Sequence, residues 1–382
     1  MNSVTKLSIG LAIAIGIGAC NKKDATDKAA PKPTDNPSAK TEPSKPAEPP
    51  KPAPPKPMTG AELAEQYKTC GQMLNDKKLD DFIKGCVADD YKSHQGAMEM
   101  KGDQLKGMFS AMQTAFPDMK FAPQIILVSG RNVFAIAYET GTSEGTMKMP
   151  PMPDIPATHK KITDLFFHRL QFDDTNKVNE EWGFEDMGTF MFQMGLTPKD
   201  APPHRTADDI KPLDGAPIVA VAADDAKEKA NIEATKKGMD AFNTRKNVDL
   251  LASYADDAVE SDVTSPKDAK GKKEIENGLK QFQTAFSDSK ITADNVWAAG
   301  DYTVTTGMFE GTNDHDMGKM KKTGKHVSIP FAEITQFKDG KITHLWRFHD
   351  SMTMAMQLGL VPAMGAPPTG DKAPKTDATP KK

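Results

Sequence analysis

Two aspartates occupy equivalent places in a phrase that the chain carries twice. Residues 184–198 read FEDMGTFMFQMGLTP and residues 348–362 read FHDSMTMAMQLGLVP, with Asp186 and Asp350 at the third position. A carboxylate buried among apolar side chains has a raised pKa and can act as a general base near neutral pH. The aspartates are therefore candidates for abstracting a proton from a carbon next to a carbonyl group.

A structural role explains the same two residues. Each aspartate stands directly before a short helical segment that stops at Gly195 or Gly359. Aspartate is a common helix N-cap, worth about 1 kcal/mol, and glycine is a frequent C-terminal stop. Because a capping carboxylate can also move a proton, the sequence leaves both roles open.

Aromatic side chains precede both aspartates. Alternation along a strand puts every second residue on one face, so two aromatic residues share a face with the aspartate of each copy. These are Trp182 and Phe184 in the first copy and Trp346 and Phe348 in the second. If that face is concave, the four side chains line an apolar ligand pocket; otherwise they belong to the core.

The histidines contribute two weaker candidates. His168 and His344 are the titratable residues nearest to the aromatic strands, and either could donate a proton to an enolate. The eight histidines show no metal-ligand spacing, and no phosphate-binding glycine loop occurs. We therefore expect neither a metal nor a cofactor.

The repeated phrase belongs to a much longer repeat. Matching motifs, such as QTAFPD and QTAFSD, recur in the same order in both halves. The chain therefore divides into domain 1 (59–200), a linker (201–225), domain 2 (226–365) and a polar, Pro/Lys-rich tail (366–382) that we expect to be disordered.

Periodicity predicts the same elements in both domains. Three helices come first, with an irregular stretch between the second and the third. About four antiparallel strands follow, and a last helix begins at the aspartate. Helices on one face of a curved antiparallel sheet form an α+β roll. The sequence therefore predicts two tandem α+β rolls.

The motifs resemble a known family. Ala-Phe-x-Asp ends the third helix at Asp118 and Asp288, Gly-Thr ends a strand at Gly141 and Gly311, and Gln-x-Gly-Leu-x-Pro follows both aspartates. This pattern resembles the SnoaL-like polyketide cyclases or ester cyclases of the nuclear transport factor 2-like superfamily. The resemblance implies a cone-shaped roll with one apolar pocket.

The resemblance also implies an activity and an assembly. Cyclases of this family close a ring without a cofactor, using an aspartate at the position of Asp186 and Asp350, whereas other superfamily members only bind ligands or partners. Superfamily members commonly pair through their sheets, so the two domains are expected to form an internal pseudo-dimer. The family histidine after Gly-Thr is missing from both GTSEG and GTNDH, and domain 2 keeps more of the pattern.

The N-terminal segment has the features of an export signal. Residues 1–19 combine Lys6 with a short apolar run, and Ile-Gly-Ala before Cys20 resembles a bacterial lipoprotein signal that ends at a lipidated cysteine. An ordinary export signal is the alternative. Asn21 favours the outer membrane, and residues 20–58 read as a Pro/Lys-rich disordered tether.

Cys70 and Cys86 lie on either side of a predicted helix–turn–helix in domain 1. In an exported protein such a pair favours a disulfide, and two buried free thiols are the alternative. The net charge of −4 comes from interspersed acids and bases, with no basic stripe for nucleic acid.

These features predict a lipid-anchored envelope protein. We expect it to bind a small apolar ligand or an unidentified envelope protein. The alternative is a cofactor-free cyclase, isomerase or hydratase with Asp350 or Asp186 as the general base.

Overall fold

The structure is a computed structural model, and it describes five stretches of the chain: residues 55–95, 98–148, 154–198, 201–213 and 215–361. The expected signal segment with Cys20, most of the expected tether and the expected C-terminal tail lie outside the described residues. No helix in the described stretches is long and apolar enough to cross a membrane.

In the described part of domain 1 there are four helices and six strands, and the described part of the linker adds a seventh strand. In chain order the elements are α1 (Gly60–Asn75), α2 (Leu79–Cys86), β1 (Val87–Gln95), β2 (Met98–Lys101), α3 (Gly102–Ala115), β3 (Lys120–Ser129), β4 (Asn132–Thr142), β5 (Lys161–Phe172), β6 (Val178–Phe184), α4 (Met187–Gln193) and β7 (Ile218–Val221).

Domain 2 repeats this order. Its elements are α5 (Ala226–Asn243), α6 (Asn247–Ala252), β8 (Tyr254–Asp262), β9 (Ala269–Lys270), α7 (Lys272–Ala285), β10 (Lys290–Ala299), β11 (Tyr302–Thr312), β12 (His326–Lys338), β13 (Lys341–Phe348) and α8 (Ser351–Leu358). The two tandem α+β rolls predicted from the sequence are confirmed.

Both sheets have the same topology. The strand order is β2-β1-β6-β5-β4-β3-β7 in domain 1 and β10-β11-β12-β13-β8-β9 in domain 2. The first strand of each domain runs parallel to its last strand. The sequence does not predict β7, and it does not predict the pairs β1–β2 and β8–β9, since the stretch before the third helix of each domain is expected to be irregular. Polar residues obscure the alternation there, and the pairing of β1 with β6 joins residues about 90 positions apart.

The first three helices of each domain cover one side of its sheet, which we call the inner face. In domain 1, Leu63 and Tyr67 of α1 pack there against Ile126 and Val133 of the sheet. A disulfide between Cys70 and Cys86 joins α1 to the end of α2.

The opposite, outer faces of the two sheets pack against each other. Phe134 and Phe167 of domain 1 share one buried cluster with Trp346 and Phe348 of domain 2. The Arg169 guanidinium also lies over the Trp182 ring of its own domain and the Trp297 ring of the other, 4.0 Å and 4.7 Å from their centroids. The domains therefore form one continuous apolar core across their sheets.

Candidate functional site

Asp186 and Asp350 begin helices α4 and α8. The Asp186 carboxylate accepts hydrogen bonds from the backbone N–H groups of Gly188 and Thr189, and Asp350 accepts from those of Met352 and Thr353. Gly195 and Gly359 follow the helices with φ of +72° and +70°. The N-cap role and the glycine stops expected from the sequence are confirmed.

The two helix N-termini meet between the domains, and each aspartate also binds the helix of the other domain. Asp186 Oδ1 accepts from the Ser351 N–H at 2.9 Å and from the Ser351 hydroxyl at 2.5 Å. In return, the Met187 N–H donates to Asp350 Oδ1 at 3.2 Å. His204, a linker residue, places Nδ1 3.3 Å from Asp186 Oδ2.

These contacts leave Asp186 poorly suited to act as a base. Burial opposes its ionisation, but hydrogen bonds from His204, Ser351 and Thr189 outweigh that effect and hold its pKa below the usual range. The side chain is 1% exposed, and both of its oxygens already accept hydrogen bonds. Burial, and then the Asp186 charge, raise the pKa of Asp350, whose carboxylate accepts from Met187, Met352 and Thr353.

The aromatic side chains expected to line a pocket lie on the outer face. Trp346 and Phe348 are buried in the interdomain cluster, and Phe184 packs against that cluster. Trp182 lies on the same side, stacked on His94. This corrects the expectation that the tryptophan face is concave and lines a pocket. The aromatic residues of that face pack against the other domain.

His344 also lies away from the inner face. Its ring stacks on Trp346 at 3.7 Å, and its Nε2 lies 2.9 Å from Ser261 Oγ. Burial lowers the pKa of His344 to about 4. The histidine is therefore neutral and held by its neighbours.

The inner face of domain 1 carries a cluster of polar groups, and His168 belongs to it. The Tyr91 hydroxyl donates to Glu181 Oε2 at 2.5 Å, and Glu181 Oε1 lies 3.2 Å from His168 Nδ1. The His168 ring packs against Phe166 and Phe121, with centroids 4.3 Å and 6.3 Å away. We call Tyr67, Tyr91, Glu181 and His168 the domain 1 cluster.

One hydroxyl group of this cluster, that of Tyr67, has no hydrogen-bond partner within the described residues. Tyr67 is 4% exposed, and the neighbouring Ser93, which interacts with Tyr91, is fully buried. The Tyr67 ring packs edge-on against Phe121 at 5.9 Å. A buried hydroxyl without a partner is costly, at about 1–3 kcal/mol, and marks a place where a ligand could accept a hydrogen bond.

Burial and the Glu181 charge set the protonation states of the other residues in the cluster. Burial lowers the pKa of His168, partly opposed by the Glu181 charge, so its imidazole is neutral at pH 7. Burial and the same charge raise the pKa of Tyr67 and of Tyr91. Both tyrosines are therefore hydrogen-bond donors rather than phenolates.

Three more acidic residues, Glu139, Asp164 and Glu185, lie on the inner face of domain 1, closer to α4 than the domain 1 cluster. Burial and then the Glu185 charge raise the pKa of Glu139 to about 7, and burial with both neighbouring charges raises that of Asp164. Burial also raises the pKa of Glu185 to about 7, although this side chain is solvent-exposed and water screens part of the effect. No three His, Cys, Asp or Glu side chains of the described stretches are arranged to hold a metal ion.

Domain 2 fills its inner face differently. The Arg347 guanidinium binds Glu260 at 2.5 Å and Glu333 at 2.7 Å, and His349 Nε2 lies 3.3 Å from Asp262. The charges of Arg347, Glu260 and Glu333 are paired, whereas His349 Nδ1 is buried without a partner in the described residues. Where domain 1 pairs Glu139 with Asp164 across β4 and β5, the equivalent pair in domain 2 is apolar: Phe309 with Ile329.

The sequence reasoning found His168 but missed its partners. Glu181 stands next to Trp182 and therefore faces the other side of β6, so assigning the tryptophan face to a pocket hid it. Tyr91 lies in the stretch expected to be irregular, and Tyr67 reads as an ordinary core residue of α1. Once the outer face is known, alternation along β6 identifies Glu181.

Two tandem rolls, each with its inner face covered by three helices, define a protein of the α+β roll class. The model of the SnoaL-like polyketide cyclase family matches residues 61–194 and 233–358. Together these segments cover more than half of the chain, which therefore belongs to this family.

Solved structures with a similar fold each correspond to a single domain. A SnoaL-like protein from Jannaschia sp. CCS1 is 17% identical, with 38% of this chain and 97% of that chain covered and a TM-score of 0.33. IdmH from Streptomyces antibioticus is 22% identical, covering 33% and 96%, with a TM-score of 0.30. At these identities the likeness concerns the fold alone. No curated protein matches the chain.

Proposed function

We propose that the protein is a lipid-anchored envelope protein whose domain 1 binds a small, mostly apolar ligand on its inner face. The observation that carries this proposal is the Tyr67 hydroxyl, which is buried beside Glu181 without a partner in the described residues. Such a group is stabilised when a ligand oxygen accepts its hydrogen bond. Domain 2, whose inner face is filled by the ion pairs of Arg347 with Glu260 and Glu333, acts as a scaffold.

The surroundings of the cluster define the ligand. Phe121 and Phe166 place aromatic surface beside His168, which favours a planar or otherwise apolar body. Tyr67 offers a hydroxyl group that has no acceptor within the described residues. We therefore propose a ligand with an apolar ring system and at least one carbonyl or similar oxygen.

In this proposal, Asp186 and Asp350 are helix caps and not catalytic residues. Their carboxylates are occupied by donors from both domains. The cyclase alternative based on these aspartates therefore requires breaking the contact between the domains.

The anchor is proposed from the sequence. Cys20 follows the lipoprotein-like segment, and residues 20–58 would hold the two domains away from the membrane. Radioactive palmitate should label the wild-type protein in cells and leave Cys20→Ser unlabelled. Equal labelling of the two would refute lipidation at this cysteine.

Native mass spectrometry of the protein purified from cell envelopes tests the binding function. We expect a bound small molecule in the wild type and in Asp350→Asn, and at least tenfold lower occupancy in Tyr67→Phe. Occupancy that is lost in Asp350→Asn but kept in Tyr67→Phe would place the site at the aspartates instead. An empty protein in all three cases would favour a scaffold for a protein partner.

A further inference from the structure

We propose that β7 is an interface through which two copies of this chain associate. The open edge of β7 in one copy pairs antiparallel with the same edge in the second copy, around a two-fold axis at Ala220. The two domain 1 sheets then form one continuous sheet. This inference goes beyond the proposed function, because β7 lies outside both segments that match the family and is no part of the ligand site.

One edge of β7 has no partner strand in the described part of the chain. β7 lies at the end of the domain 1 sheet and pairs in parallel with β3. The Ala222 N–H donates to a carbonyl of β3, and alternate residues of a strand direct their backbone groups to the same neighbour. Ala220 therefore also bonds to β3, whereas the N–H and C=O groups of Val219 and Val221 point away from β3, along the open edge.

The same strand exposes apolar side chains. Val219 and Val221 are 42% and 40% exposed, and Ile218 is 38% exposed. A single exposed apolar side chain is ordinary, but several on one unpaired strand are typical of a surface that another strand covers. Within its bounds β7 contains neither a charged residue nor a proline.

The other sheet edges of the described chain carry features that oppose pairing. β2 contains Glu99 and Lys101, β9 is two residues long, and β10 is interrupted by a bulge at the exposed Asp294. Charges, very short strands and bulges are common devices that protect an edge. β7 is itself short, but all of its residues are apolar and its pairing with β3 has no bulge.

A second copy of this chain fits the edge because the edge is its own complement. Antiparallel pairing about Ala220 places Val219 of one copy opposite Val221 of the second, so each free N–H meets a free carbonyl. The valine side chains then contact one another across the two strands. Asp224, the charged residue nearest to β7, falls opposite Ala216, so no like charges face each other.

The pairing also extends an interface that the protein already has. The Ala220 and Ala222 side chains pack against the interdomain cluster. A Cβ atom built at Gly300 of domain 2 would lie 3.5 Å from the Ala220 methyl group. A strand added beside β7 therefore lies next to the contact between the domains, and the new interface is continuous with it.

The mass of the full-length protein tests the association. We expect sedimentation equilibrium in density-matched detergent to give twice the mass of the single chain at micromolar concentrations. Val219→Pro removes a backbone donor that points away from β3, and proline is tolerated at such an edge position. Because this donor is lost in both copies, the dissociation constant of the dimer should rise by about tenfold or more.

The control for this substitution is Val219→Thr. Threonine keeps the backbone N–H and a branched side chain, so the dissociation constant should stay within about threefold of that of the wild type. A comparable rise in both variants would mean that the backbone of β7 does not pair between the copies.

Oxidative cross-linking tests the register. In the proposed pairing the two Ala220 residues face each other as a non-hydrogen-bonded pair, with Cα atoms about 4.5 Å apart, which a disulfide can span. Ala220→Cys should therefore form a covalent dimer under mild oxidation, and Val248→Cys, at an 83% exposed position of α6, should not. Both variants also carry Cys20→Ser, since Cys70 and Cys86 are already joined.

Every outcome bears on the inference. A dimer that Val219→Pro weakens and Ala220→Cys cross-links supports it. A wild type that stays monomeric at micromolar concentrations overturns it. A dimer that Val219→Pro leaves unchanged, or that Ala220→Cys does not cross-link, associates through another surface and overturns it as well. Ligand occupancy by native mass spectrometry decides the binding function separately.

Discussion

The Asp186 carboxylate lies 2.9 Å from the backbone nitrogen of Ser351, 165 positions further along the chain. With the reciprocal bond from Met187 to Asp350, it joins the first turns of two helices that belong to different domains. A conventional N-cap satisfies only its own helix. Here each cap also satisfies a donor of the other helix, so the repeated phrase holds the two domains in one orientation.

This shared capping predicts an unusually large effect of removing Asp186. Asp186→Ala should lower the free energy of unfolding by about 2–3 kcal/mol, because donors of both domains lose their acceptor. Asp225 provides a matched control, since its exposed side chain caps only its own helix, through the Glu228 N–H. Asp225→Ala should cost about 1 kcal/mol. Equal losses in urea unfolding would refute shared capping.

The close approach at Gly188 gives a second prediction. A Cβ atom there would lie 2.1 Å from Ser351 Oγ and 2.8 Å from His204 Cε1. Gly188→Ala should therefore destabilise the protein by about 1–3 kcal/mol. A Cβ atom added at Gly107 in α3 would meet open space, with no neighbouring group within 4 Å, so Gly107→Ala should stabilise the protein by about 0.5–1 kcal/mol. Stabilisation by both substitutions would contradict the interdomain contact.

The sequence predicted the fold better than it predicted the site. Repeated motifs and periodicity identified two rolls and both capping aspartates, because these signals are local. The sequence left open whether the tryptophan face of each sheet lines a pocket or belongs to the core, because an apolar face against another domain has the same pattern as a pocket wall. Glu181 and Tyr91 are brought together by parallel pairing of β1 with β6, which no local signal in the sequence reveals.

The Cys70–Cys86 disulfide should stabilise domain 1. It closes a loop with a sequence separation of 16, for which the chain-entropy model gives about 3 kcal/mol. The double variant Cys70→Ala/Cys86→Ala should lose about that amount in urea unfolding, and reducing agent should affect only the wild type. Unchanged stability of the double variant would mean that the bond contributes nothing.

The buried acids of domain 1 predict a dependence of stability on pH. The pKa of Glu139 is raised from 4.5 to about 7, so the folded state binds more protons than the unfolded state between these values. Stability should therefore fall as pH rises through this range and stay level above it. Glu139→Gln should remove part of this fall, on the order of 1 kcal/mol at pH 8.

The control for this titration is Glu65→Gln, which changes an exposed glutamate of α1. It should leave the pH profile of the unfolding free energy unchanged. If Glu139→Gln and the wild type have the same profile between pH 4.5 and 8, the acids on the inner face do not titrate as the structure indicates.

The most direct test of the central claim is a crystal structure of the protein purified from cell envelopes. The account predicts ligand density on the inner face of domain 1, with an oxygen accepting from the Tyr67 hydroxyl and the body of the ligand against Phe121 and His168. Density in domain 2 or beside Asp186 and Asp350, with Tyr67 still unpartnered, would contradict it.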